Sequence, residues 1–179
     1  MFPFIRLFKE IALYRKAPRL GLHETHFSNH ICWPWDLDMA AELNNGRTLS
    51  LLDLGRVPLM IRLGMLEAMR EHRWGAAMAG VVVRYRQRIK NMQRFEMRSR
   101  LVGWDQRFLY MEQSMWKAGE ICANHAVYRV AVTDRNGIVP APRVAEAIGL
   151  GPDSPPLDEW IELWSRAEDA RPWPPQMTR

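Results

Sequence analysis

The stretch Trp35-Asp36-Leu37-Asp38-Met39-Ala40-Ala41-Glu42-Leu43-Asn44-Asn45 decides how this chain is read, because one hydrophobic pattern stops at it and another starts. Before it, residues 22–33 set Phe27, Ile31 and Trp33 among polar neighbours, the weak alternation of a strand leading into a turn at residues 34–38. After it, Leu49, Leu52, Met60, Leu63, Leu66 and Met69 recur at helical spacing, and Asn44 is a good cap residue ahead of the first turn. The spacing predicts a long helix from residue 45 to about residue 73, burying Leu52, Leu63 and Leu66. Pro58 lacks an N–H, so the helix is expected to kink or split near Val57.

Past Gly75 the pattern changes to runs of β-type residues at 77–89, 95–104, 108–116 and 121–133, separated by Gly, Asn and Asp turn chemistry. The connections at 103–106 and 117–120 are short enough for hairpins, so these strands pair antiparallel. One strand, one long helix and four further strands make an α+β unit whose sheet wraps the helix. Eight of the twelve prolines lie beyond residue 139, which makes the tail irregular apart from short helices at 144–148 and 157–170. Trp160, Ile161 and Trp164 are the residues expected to dock that tail.

A chain of 179 residues with 47% hydrophobic and 25% charged residues is a folded globular domain rather than a disordered one. Cys32 and Cys122 are too few for a disulfide scaffold and fit a reducing cytoplasm. The net charge of +5 is unevenly placed. Residues 1–20 carry five Lys or Arg against Glu10, and residues 84–100 carry seven against Glu96. Such patches attract phosphate, in nucleic acid, on an anionic membrane or in a cofactor. The aromatics form no base-stacking motif, which argues against nucleic acid.

No apolar run approaches the roughly 18 to 20 residues that span a bilayer. Arg6 and Lys9 interrupt the apolar start of the chain before a secretory core can form. On a helix, Phe4, Ile5, Phe8, Ile11 and Ala12 make one stripe, and Pro18 ends it. The reading is a helix docked by that stripe on the domain, with peripheral membrane contact through residues 1–18 as the alternative.

The chemistry centres on the opening stretch. Asp36 and Asp38 stand just before a helix start, where unpaired N–H groups carry partial positive charge and can hold the oxyanion of an acyl-transfer intermediate. A carboxylate there can attack an acyl carbon or activate water, and Asp and Asn at the same place can equally be plain caps. Asp53 and Arg56, three apart on one helix face, can pair with each other or face a pocket. Arg84, Arg86, Arg88 and Lys90 alternate along a predicted strand and share one face, either a solvated sheet face or a seat for the phosphates of a ligand. On a strand, His23 points away from His26 and His30, and no Cys or acid completes a ligand spacing, so no metal is expected. There is no Gly-x-Ser-x-Gly and no phosphate-binding glycine loop, which removes serine hydrolases and nucleotidases.

These residues resemble the hotdog-fold acyl-CoA thioesterases related to 4-hydroxybenzoyl-CoA thioesterase, which carry Asp-x-Asp, then Gly-His-Val-Asn-Asn, then a helix with an acid and an arginine. Here the matching positions are Asp36-Leu37-Asp38, Glu42-Leu43-Asn44-Asn45 and Asp53 with Arg56. Asn44-Asn45-Gly46-Arg47 and Gly103-Trp104-Asp105 look closest to the branch that includes thioesterase superfamily member six. Glu42, Ala41 and Thr48 depart from the usual His, Gly and aromatic.

The resemblance covers residues 22–133 and implies a hotdog fold, with an antiparallel sheet of about five strands around a central helix. It divides the chain into an N-terminal helix at 1–20, the hotdog unit at 21–135 and a partly helical extension at 136–179. It implies that Asp38 is nucleophile or general base and that the backbone amide near Asn45 polarises the thioester carbonyl. Glu42, Asn44, Asp53, Arg56, Arg84, Arg86 and Arg88 become candidate substrate contacts. It further implies a homodimer, and no cofactor beyond the coenzyme A of the substrate. Two activities stay open: hydrolysis of an acyl-CoA thioester, and binding of acyl groups or acyl-CoA without turnover.

Overall fold

Alternation in the strand region sorts side chains onto two faces, and the two faces build two cores. In the computed structural model, which describes residues 2–175, the chain runs through α1 (Phe4–Tyr14), β1 (His26–Ile31), a 3-10 turn (Pro34–Asp36), α2 (Asn45–Arg62), α3 (Met65–His72) and β2 (Gly75–Tyr85). It continues through β3 (Arg94–Trp104), β4 (Leu109–Lys117), β5 (Ile121–Asp134), β6 (Gly137–Val139), α4 (Ala141–Ala147) and α5 (Glu159–Ala170). The strands form one antiparallel sheet in the order β1-β3-β4-β5-β2, with β6 paired to β5.

Met97 and Leu101 on β3, Met111 and Met115 on β4, and Tyr128 and Val130 on β5 point to the concave face and pack with α2 in the main core. Intervening residues Val102, Tyr110, Val127 and Ala131 point to the other face, where Ile161 and Trp164 of α5 cover them. The tail docks through Ile161 and Trp164 on the back of the sheet. Trp160 stays 40% exposed, edge-on to His125.

Helix α2 is buried nearly all round, with Leu51, Leu52, Leu54 and Leu59 inaccessible, because the sheet lies on one side and α1 on the other. At Gly55 it comes so close to β3 that a Cβ would stand 2.5 Å from both Met97 Sδ and Ser99 Oγ.

Several sequence expectations change. The helix does not split near Val57: α2 runs through Pro58, and the break falls at Gly64, whose φ of +76° suits glycine. Proline removes only one N–H, and packing on both sides keeps the helix continuous. Leu66, beyond the break, is 38% exposed rather than core. The α1 stripe is also reversed: α1 docks through Leu7, Glu10 and Tyr14, while Phe4, Ile5 and Phe8 face outward. Polar partners decide this, since Arg6 reaches Asp36 at 2.7 Å and Tyr14 donates to the Phe27 carbonyl at 3.1 Å.

Candidate functional site

The loop that enters α2 is held by a buried carboxylate. Asp36, inaccessible to solvent, takes Arg6 on Oδ2 and Arg47 on Oδ1, each at 2.7 Å, and Oδ2 also accepts the Trp33 N–H at 3.1 Å. Its carbonyl accepts the Asn44 N–H at 3.0 Å. Asp36 is thus structural, joining α1, the loop and the first turn of α2.

Asp38 closes the next turn. Its Oδ1 accepts the Ala40 N–H at 2.8 Å, its N–H bonds the Glu42 carbonyl at 2.9 Å, and Ala41 takes a φ of +56°. Ala41 therefore holds, as alanine, a backbone position where the resembling family has glycine. The carboxylate of Asp38 is half-buried. Leu43 then bonds the Ile89 carbonyl at 2.8 Å, pinning the loop beside the end of β2.

Asn44 caps α2: its Oδ1 accepts the Arg47 N–H at 3.0 Å, and its carbonyl accepts the Thr48 N–H at 2.9 Å. Among the described residues, the N–H groups of Asn45 and Gly46 have no acceptor, so two helix-start donors remain available to a ligand. Asn45 opens onto a recess of about 200 Å³ lined by Glu42, Thr48, Tyr85, Arg86, Arg88 and Asn124. Tyr85 ties the edge strand to the helix start, donating its hydroxyl to the Asn45 carbonyl at 3.0 Å. Glu42 Oε2 lies 2.8 Å from Arg88 Nε.

The candidate residues therefore divide. Glu42, Asn45, Arg86 and Arg88 line one recess, Asn44 supports it as the cap, and Asp38 lies one turn away, outside the lining. The row of alternating basic residues is broken. β2 ends at Tyr85, and the N–H groups of Arg86 and Gln87 both point at the Ala123 carbonyl, at 2.9 and 3.0 Å. This irregularity sends Arg86 and Arg88 to the recess, whereas Arg84 lies with His125 and Trp160 on the opposite face of the sheet.

Asp53 and Arg56 pair with each other, away from the recess lining. Burial raises the Asp53 carboxyl above its ordinary range against the opposing pull of Arg56. Arg56 stacks 4.0 Å over the Tyr128 ring and donates to Gln113 Oε1 at 3.2 Å. Gln113 in turn donates to the Leu52 carbonyl at 2.9 Å and to Ser99 Oγ at 2.8 Å, cross-linking α2 to the sheet. Sequence reasoning missed Gln113, Ser99 and Tyr85. Gln113 left a trace, as a polar residue in the core register of Leu109, Met111 and Met115.

Of the histidines, His26 and His30 are buried. Burial and Arg62 hold His26 down at about 4. Burial, then Arg6, Lys9 and His26, hold His30 at about 3. His30 bonds Ser28 Oγ at 2.8 Å. His125 sits half-exposed on the back face, 2.7 Å from Glu112.

A sequence model of the thioesterase-like superfamily matches residues 32–164. Protein THEM6 of Xenopus laevis is 36% identical over 92 residues, 51% of this chain and 44% of that protein. Protein THEM6 of Drosophila melanogaster is 27% identical over 138 residues, 75% of this chain and 68% of that protein. The chain thus spans less than half of the Xenopus laevis relative's length. Among solved structures, a DHNA-CoA thioesterase from Staphylococcus aureus superposes with a TM-score of 0.60 at 10% identity, over 81% of this chain and 91% of that one. The curled sheet around α2 is the hotdog fold.

Proposed function

The chain belongs to the thioesterase-like superfamily, and from that premise we propose that it hydrolyses an acyl-CoA thioester at the recess where α2 begins. The observation that carries this reading is the unengaged N–H of Asn45, a residue that lines the recess at the positive end of an 18-residue helix. A thioester carbonyl placed there gains hydrogen bonds as negative charge develops on its oxygen. Water adds to the carbonyl carbon, the C–S bond breaks, and the proton removed from water goes to the leaving sulfur. Arg86 and Arg88 at the rim meet the phosphates of coenzyme A, which enters only as part of the substrate.

Asp38, whose Oδ1 alone is engaged in the turn, is the proposed base that takes the proton from water, or the nucleophile that displaces the thiolate to form a mixed anhydride, which water then hydrolyses. Glu42 is the carboxylate that lines the recess, and this favours a second reading in which the site binds acyl-CoA without turnover.

Free-thiol release from a panel of acyl-CoA substrates separates these. Hydrolysis that Asp38→Asn abolishes supports the first reading. Loss with Glu42→Gln and not with Asp38→Asn moves the base to Glu42. Saturable binding with no thiol release across the panel replaces hydrolysis with binding.

The working unit is proposed to be a homodimer joined at β2. That strand ends the sheet, runs eleven residues, and carries no charge from Gly75 to Val83. An edge so long and uncharged invites pairing with a second copy.

A further inference from the structure

We propose that the outward face of α1 docks on an anionic membrane surface. Phe4, Ile5, Phe8 and Ala12 fall within an arc of about 100°, and all four are exposed. Ile5 is 87% and Phe8 64% accessible. The helix needs none of them for its own docking: Leu7 packs on the main core, Arg6 is bound to Asp36, and Tyr14 to the Phe27 carbonyl. Among the described residues nothing covers this apolar stripe, and an exposed apolar stripe rimmed by polar groups marks an interaction surface.

Charge identifies the partner. Arg15 and Lys16, at the end of the stripe, are exposed and make no ion pair among the described residues. Lys9, on the flank of the stripe, keeps 62% of its side chain exposed while touching Glu10. Apolar residues in the centre with Lys and Arg beside them suit a helix lying in the headgroup layer, where anionic lipid meets the ammonium and guanidinium groups. Lys is depleted at protein interfaces, whereas a lipid headgroup layer attracts it, so the lipid surface is the better match.

Other apolar groups lie near the start of α2. Phe2 and Trp35 border one shallow depression together with Arg47, and Trp35 is 67% exposed. Because Asp36 clamps Arg6 and Arg47 together, α1 and the start of α2 move as one body. The inference itself stands on α1 and not on the reaction proposed for the recess.

The test is co-sedimentation of the full chain with large vesicles of phosphatidylcholine alone, or with about a third phosphatidylglycerol. Binding to the anionic vesicles is expected, falling severalfold without the anionic lipid or in high salt. Ile5→Glu with Phe8→Glu should abolish it, and Lys9→Glu with Lys16→Glu should weaken it at least tenfold, roughly fivefold per charge. Both variants change exposed residues, and unchanged circular dichroism and Tm verify their folding. Absence of wild-type binding to anionic vesicles overturns the proposal, as does equal binding by Ile5→Glu/Phe8→Glu. A wild-type oligomer that this variant dissociates, without any vesicle binding, assigns the face to a second copy and also overturns it. Thiol release is not measured, so failure here leaves the hydrolase reading untouched.

Discussion

Arg47, in the first turn of α2, donates Nε to Asp36 Oδ1 at 2.7 Å across a carboxylate that solvent cannot reach. The bond fixes the angle at which the loop enters the helix, and Arg6 binds the other oxygen from α1. Removing this acid takes away the one carboxylate that Arg6 and Arg47, each less than a fifth exposed, both bind. Asp36→Ala should cost about 3–5 kcal/mol in urea unfolding, the usual loss for breaking a buried pair. A loss under about 1 kcal/mol would reclassify the clamp as a surface contact.

Gly55→Ala should also destabilise, against the ordinary preference of helices for alanine. The new methyl would stand 2.5 Å from Met97 Sδ and Ser99 Oγ, and Ser99 accepts a bond from Gln113. Overpacking of this kind costs about 1–3 kcal/mol, more than the roughly 1 kcal/mol that alanine contributes in a helix. Thermal melts of the two proteins decide the sign.

Acid should weaken the fold through His26 and His30. Both are held below the ordinary value of 6.5, to about 4 and about 3, so the unfolded chain binds these protons first. Their contribution is complete above pH 6.5 and is lost as pH falls toward 4 and then 3. The expected slope is up to about 1.4 kcal/mol per pH unit for each histidine. His30→Gln should flatten the dependence of Tm on pH between 6.5 and 4; an unchanged slope would falsify the assignment.

The edge of β2 should carry self-association. Ala77→Lys with Met78→Lys places charge on both faces of the uncharged edge strand. Light scattering should show the wild type at twice the 20.9 kDa chain mass and the double variant at the chain mass. A wild-type monomer rejects the homodimer proposal.

Much of the fold was legible because it rests on local periodicity. The runs that became β3, β4 and β5 lie within about two residues of their sequence-based limits, and the helical run from Asn45 ends at His72 after one break. β6, only three residues long, is too short to leave a pattern. Within the site, Asn44 as cap and Asn45 at the helix start followed from position alone. Tyr85 did not, because its partner lies forty residues away in sequence. Arg84 was misgrouped with Arg86 and Arg88, since alternation assumes a regular strand and this one becomes irregular after Tyr85.

The sequence by itself determined the main helical and strand runs, where α2 starts, and the motif that marks the superfamily, all properties of neighbouring side chains and backbone preference. Only the tertiary structure decided which face of α1 is buried, where the long helix breaks and which carboxylate lines the recess. Those outcomes depend on partners distant in the chain: Asp36 and Phe27 draw the polar face of α1 inward, dense packing carries α2 through Pro58, and the Leu43 bond to Ile89 sets Glu42 beside Arg88.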